Sequence, residues 1–203
     1  MSIGILDYGM GNVKSLGWAF DRLGVPNKIV NSLESLGTVN RLVIPGVGSF
    51  GTAIQNIRSL GLFNGLIDYV KIKDARVLGI CLGMHILFES SEESPGIEGL
   101  SVLRGKIKKL NSASSPLPHV GWNSLETSEK DKPLFLDGIP ASADFYFVHR
   151  YGLLDSVGYA CTVTERPDEL FVSSVQYENI SCVQFHPEKS HLHGLMLLKN
   201  WLA

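Results

Sequence analysis

Arg76-Val77-Leu78-Gly79-Ile80-Cys81-Leu82-Gly83-Met84-His85-Ile86-Leu87-Phe88 joins a short apolar run to a cysteine flanked by glycines. Val77, Leu78 and Ile80 suit a buried strand. Gly79, Cys81 and Gly83 form Gly-x-Cys-x-Gly, and residues 82–88, free of proline, read as the start of a helix. Strand, tight turn with a nucleophile, and helix make a nucleophile elbow, with Cys where the familiar motif carries Ser. The sharp turn lifts the side chain clear of the sheet. Glycines on either side remove the side chains that would collide there. The helix amides and the positive end of its dipole then favour thiolate over thiol. The motif is short, and alone it leaves two readings: an inert buried thiol or a nucleophile.

Upstream, residues 3–7 read as a strand and residues 13–23 as a helix, with Val13, Leu16, Ala19, Phe20 and Leu23 at helical spacing. Gly24 and Pro26 stop that helix. Between strand and helix lies Asp7-Tyr8-Gly9-Met10-Gly11-Asn12, a turn with Asn12 as N-cap. It lacks a full Gly-x-Gly-x-x-Gly and a Walker lysine, so a tight turn is the better reading than a nucleotide loop, and Asn12 is available for a partner. Asn27–Val30 and Arg41–Ile44 are further strands. The latter runs into Pro45-Gly46-Val47-Gly48-Ser49-Phe50, where glycines expose backbone N–H groups, either as a plain turn or as an oxyanion hole. Helices over residues 51–60 and 62–73 precede the elbow strand. Three strand–helix alternations by residue 90 predict an α/β fold, its central sheet mostly parallel with helices on both faces. Ligands of such sheets bind beyond the carboxyl ends of the strands, where Cys81 and the glycine turn both fall.

Downstream, residues 89–98 are polar and read as a solvated loop with carboxylates that suit a substrate ammonium group. Residues 105–118 read as a strand and a mobile connection. Pro118-His119-Val120-Gly121-Trp122-Asn123 reads as a loop whose Trp122 is core filler or a contact surface. Residues 143–151 form an aromatic-rich strand in which His149 is structural or lines a site. Residues 170–177 and 180–185 make a hairpin around Glu178-Asn179, an antiparallel addition to the C-terminal half. His186-Pro187-Glu188-Lys189-Ser190 follows, with Ser190 placed to cap a last helix over residues 192–201 whose Leu195, Leu198 and Leu202 share a face. The order Cys81, His186, Glu188 supplies a nucleophile, a base and a carboxylate to orient the base, which decides the reading of Cys81.

The bulk properties bound the rest. A chain of 203 residues, 44% hydrophobic and 19% charged, suits one globular domain spanning 1–203. A net charge of −2 gives no support for nucleic acid or an anionic membrane as partner. No apolar run reaches the roughly 20 residues of a membrane span, and no basic segment precedes the first apolar residues. Three cysteines, Cys81, Cys161 and Cys182, at wide spacing point to a reducing cytoplasm without disulfides. His191 and His193 fit a surface helix; no metal and no cofactor are expected.

Gly79-Ile80-Cys81-Leu82-Gly83 with His186-Pro187-Glu188 resembles the class I (triad) glutamine amidotransferases, a flavodoxin-like fold. More narrowly, the chain is similar to the glutamine amidotransferase subunits of imidazole glycerol phosphate synthase. That similarity rests on Asp7 to Asn12, Pro45 to Gly48, Pro118 to Asn123, Tyr146-Phe147-Val148-His149 and His186 to Ser190. The resemblance implies that Cys81 attacks the side-chain amide of glutamine, His186 carries the proton to the leaving ammonia and Glu188 orients His186. It implies an oxyanion held by the backbone N–H of Leu82 and by the Gly46–Gly48 turn, and a glutamine pocket that includes His85, His149, Arg150 and Tyr151. Ammonia passes through a channel to a (β/α)8-barrel cyclase, with Asn12, Trp122, Tyr146 and Lys189 at or near the interface. Two positions depart from the pattern: His85 stands where Gln contacting the substrate is usual, and Arg150 where a small hydroxyl residue is usual. These leave open a related subunit serving another synthase, such as one amidating a surface-polysaccharide sugar, or a non-catalytic interaction subunit. A different Cys-elbow hydrolase is disfavoured by the His-Pro-Glu and Gly-Trp-Asn segments.

Overall fold

Apolar runs of four or five residues that bury both faces pair in parallel beneath helices. The computed structural model describes residues 3–72, 74–127, 132–155 and 158–203. In it β1 (Ile3–Leu6), β2 (Asn27–Val30), β3 (Arg41–Ile44) and β4 (Arg76–Ile80) are parallel, in the order β2-β1-β3-β4. Crossovers are made by α1 (Val13–Arg22), by the single-turn α2 (Leu33–Leu36), and by α3 (Phe50–Ser59) with α4 (Phe63–Val70). Side chains alternate along each strand. Leu42 and Ile44 of β3 enter one core with Phe50, Ile54 and Leu66, and Val43 enters the other with Leu16, Phe20 and Leu198. The sheet is the middle of three layers.

The rest of the chain extends the sheet and closes the site. It comprises α5 (Leu82–His85), β5 (Ser90–Ser91), β6 (Lys106–Lys109), β7 (His119–Ser124), β8 (Asp144–His149), β9 (Tyr151–Leu153), β10 (Ala160–Arg166), β11 (Glu169–Tyr177), β12 (Ile180–Val183) and α6 (His191–Leu202). β12 is parallel to β4 and antiparallel to β11, and the sheet runs on through β9 and β6 to β5, with β10 on β11. The register sets Ile80 opposite Val183, and the Cys81 N–H donates to Val183 O at 2.8 Å. Two segments a hundred residues apart in sequence thus leave the sheet side by side, one with Cys81 and the other with His186.

Several local expectations need correction. The elbow helix stops at His85 instead of continuing over residues 82–88. The carbonyls of Ile86, Leu87 and Phe88 accept from the amides of residues 100–103, so those carbonyls serve a crossing segment. A single turn keeps its amides but little dipole. Residues 89–98 are mostly exposed or half-buried, as expected, but three of their carboxylates are taken up by the backbone: Glu93 accepts from Phe50 N at 2.8 Å, Glu89 from Gly105 N at 2.9 Å and Glu92 from Lys109 N at 3.0 Å. Trp122 lies on a strand, since β7 pairs with β8 as a separate two-stranded ribbon. Ser190 makes no side-chain cap; its hydroxyl donates to His186 O at 2.7 Å and accepts from Tyr146 N at 3.0 Å. The buried face of α6 is Gly194, Leu197, Leu198 and Trp201, while Leu195 and Leu202 are half-buried. α4 ends at Val70, and Lys73, its expected end, lies outside the described residues. Among the described residues no helix is long and apolar enough to cross a membrane.

Candidate active site

Cys81 is the turning point between β4 and α5, and its backbone is held at φ 52° and ψ −110°. A non-glycine residue there is strained, and the surrounding contacts maintain it. Gly83 makes the turn sterically possible. A Cβ on it would lie 1.8 Å from Ile44 O, so the first turn of α5 rests directly on the end of β3. Gly46 is equally constrained: its Cβ would lie 2.6 Å from both Leu82 Cβ and the Tyr8 hydroxyl, and 2.8 Å from Gly83 N. Tyr8 donates to Pro45 O at 2.7 Å and fixes that peptide. Burial, reinforced by Cys81, raises the Tyr8 hydroxyl far above its usual range and keeps it a neutral donor. Gly48 has φ 105°. The glycine turn therefore packs directly on Leu82 and Gly83, the two residues that follow Cys81.

His186 enters from the end of β12. Its backbone N–H donates to Tyr146 O at 2.9 Å, while Ser190 ties its carbonyl back to β8. Its Nδ1 lies 2.9 Å from Glu188 Oε1, and both side chains are 2% exposed. That leaves Nε2, buried and without a hydrogen-bond partner, as the nitrogen available to Cys81. Burial alone would lower the basicity of His186. Cys81 and Glu188 outweigh it and push the pKa up to about 10. A protonated imidazole on this side favours thiolate, the nucleophilic form of cysteine.

The other expected site residues divide. His149 is buried; its Nδ1 donates to Tyr151 O at 2.9 Å, and its Nε2 lies 3.1 Å from His119 Nδ1, whose ring bonds Asn123 Oδ1 through Nε2 at 2.9 Å. Burial holds both imidazoles below the usual pKa. Tyr151 is half-buried, and the Arg150 side chain is exposed. His85 is buried and bonded to Gln184 at 2.7 Å. Asn12 is exposed and caps α1 by accepting from Ser15 N at 3.2 Å. Trp122, Tyr146 and Lys189 form one cluster: Trp122 packs edge-on against Tyr146 at 5.8 Å, and the Lys189 ammonium stands over the Tyr146 ring at 5.6 Å. His191 stacks flat on Trp122 at 5.0 Å, with Val120 exposed nearby on β7. Sequence reading missed Tyr8, His119, Gln184 and His191 as neighbours of these groups. Gln184, a polar residue closing the apolar run of β12, was the one with a legible signal.

The family described as glutamine amidotransferase class-I matches residues 4–203. The imidazole glycerol phosphate synthase subunit HisH of Moorella thermoacetica is 39% identical over 199 residues, 98% of this chain and 93% of the relative. Its counterpart in Methanocaldococcus jannaschii is 41% identical over 204 residues, 98% of each. Among solved structures, a chain of PurLQS from Thermotoga maritima is alike in fold, with TM-score 0.72 at 16% identity over 99% of this chain and 97% of that one. With a cysteine elbow at the end of a parallel sheet and a match over nearly its whole length, the chain belongs to the class-I glutamine amidotransferase family.

Proposed function

We propose that the chain is the glutaminase subunit of an imidazole glycerol phosphate synthase. It hydrolyses glutamine to glutamate and ammonia, and the ammonia passes to a cyclase subunit of (β/α)8-barrel fold. The carrying observation is Cys81 at a strained elbow beside a buried His186 that Glu188 holds at 2.9 Å. The names and full-length identity of the relatives supply the synthase.

The Cys81 thiolate attacks the amide carbon of glutamine, and the tetrahedral oxyanion is met by the Leu82 N–H and the Gly46–Gly48 turn. The intermediate collapses with cleavage of the C–N bond. The His186 imidazolium gives its proton to the leaving nitrogen, which departs as ammonia. Neutral His186 then takes a proton from water as the water attacks the thioester, and collapse releases glutamate and restores the ion pair. Ammonia in open water would be protonated and lost as a nucleophile, which favours direct delivery to the partner. The exposed cluster of Trp122, Tyr146, Lys189 and His191 suits that partner, being aromatic and cationic around a rigid ribbon.

The test is glutamate release by the chain with its barrel cyclase and acceptor substrate. Turnover that rises with partner and acceptor and disappears in Cys81→Ala supports the proposal. A complex without turnover, or Cys81→Ala that retains it, overturns it. Rescue of a histidine auxotroph lacking this subunit separates the histidine synthase from another acceptor.

A further inference from the structure

We infer that His85 and Gln184 act as a pair of positioning residues for Cys81, with His85 holding the Gln184 amide so that its N–H group points at the sulfur. This rests on the reading of Cys81 as the nucleophile.

Gln184 is fully buried and follows β12 directly, two residues before His186. Its backbone N–H donates to Ser173 O at 2.9 Å, which fixes the point from which the side chain starts. Its Oε1 lies 2.7 Å from His85 Nε2, and its Nε2 lies 3.7 Å from Cys81 Sγ. His85 is 5% exposed, on the single turn that follows the nucleophile. Burial lowers its pKa to about 4, so near neutral pH the ring carries one N–H. An amide oxygen only accepts, so that N–H is on Nε2. The His85 bond thus engages the oxygen of Gln184 and turns the NH2 group to the sulfur. The reverse amide orientation would set a carbonyl oxygen against Sγ and oppose a thiolate, while an N–H donor stabilises one. The tautomer of His85 and the charge on Cys81 are therefore tied through one amide.

The other groups around the sulfur do not perform this task. Tyr8, at the end of β1, commits its hydroxyl to Pro45 O. Val148 of β8 offers a carbonyl at 4.0 Å. His186, held by Glu188, carries the transferred proton, and both ring nitrogens of His149 are taken. In this chain His85 faces inward to Gln184. The resulting role is one of preparing the nucleophile rather than touching glutamine.

The experiment is the pH profile of Cys81 alkylation by iodoacetamide in the full chain, read by mass spectrometry on the Cys81 peptide. Gln184→Met keeps the volume and removes the donor. Its alkylation near neutral pH should fall roughly ten- to a hundredfold and converge with the parent protein at high pH, the size expected for one hydrogen bond to a charged group. His85→Leu should move the profile the same way. His85→Gln, whose amide N–H can replace Nε2–H, should restore it. Nitrogen NMR of the unaltered protein gives a reading independent of any variant's folding, with a neutral Nε2–H tautomer expected at His85. Superimposable profiles for Gln184→Met, His85→Leu and the parent, or an Nδ1–H tautomer, overturn the inference. Failure of the glutaminase reading would show separately, as Gln184-dependent alkylation without glutamine turnover in the cyclase complex.

Discussion

Glu188 takes one nitrogen of His186 and leaves the other for the sulfur, and the proton balance of the site follows from that pair. His186 is raised to about 10 although burial opposes its charge. The stability its pairing confers is full below the unfolded value near 6.5 and is lost as pH rises toward 10. Glu188→Gln removes one of the charges that raise it, so the imidazolium releases its proton at lower pH. Glutamate release should fall about 10²- to 10⁴-fold, with its alkaline limb moved to lower pH. An unmoved limb in a pH–rate profile would count against this role for Glu188. Gly46→Ala probes the oxyanion side. Its Cβ would meet Leu82 and Tyr8 at 2.6 Å, and the Gly83 backbone cannot yield. Turnover should fall about 10²- to 10³-fold, as for loss of one oxyanion donor, while Cys81 still alkylates in a labelling assay. Cys81, His186 and Glu188 were legible because each occurs in a short motif with an assigned chemistry. Gln184, legible only as a polar residue closing an apolar run, and Tyr8 belong to no motif with an assigned chemistry. Only the packing of β12 against β4, and of the glycine turn against α5, shows what they face.

Elements differ in how openly the sequence declares them. β1, β3 and β4 are runs of apolar residues ended by Asp7, Pro45 and the Cys81 elbow, and burial on both faces leaves no competing pattern. β7 hides behind Gly121 and Asn123, which argue for a loop; its partner β8, far along the chain, makes it a strand. α6 shows the same dependence on tertiary context. Leucine spacing suggests one face, but the buried face includes Gly194, whose Cβ would lie 1.9 Å from Pro187 O. That glycine lets α6 approach the turn bearing Glu188. Gly194→Ala should therefore displace Pro187 and with it the Glu188 carboxylate. In an exposed helix such a change would stabilise by up to about 1 kcal/mol. Here thermal unfolding should show a loss instead, with a lower kcat at little-changed glutamine KM. A variant as stable and as active as the parent would refute the contact.

At the scale of the whole molecule, the site sets a stability cost in acid. His85 and His149 are buried neutral, and burial lowers both, His85 to about 4. In the unfolded chain each takes a proton near 6.5, whereas the folded protein resists until lower pH. The unfolded state thus binds more protons in that window. The stability from these neutral histidines is full above 6.5 and is lost as pH falls toward the folded values. For His85 alone, 1.5 units below 6.5 corresponds to about 2 kcal/mol at pH 5. At this chain length that is a fall in Tm of roughly 4–8 °C between neutral pH and pH 5, and His149 adds to it. His186 does not contribute there, because its pairing is already complete below 6.5. His85→Gln removes the titrating ring while keeping a donor for Gln184, so its Tm should fall less steeply over the same window. Parallel Tm–pH curves for parent and variant, from calorimetry in matched buffers, would show that His85 is not held neutral. That result would also remove the basis for assigning its single proton to Nε2.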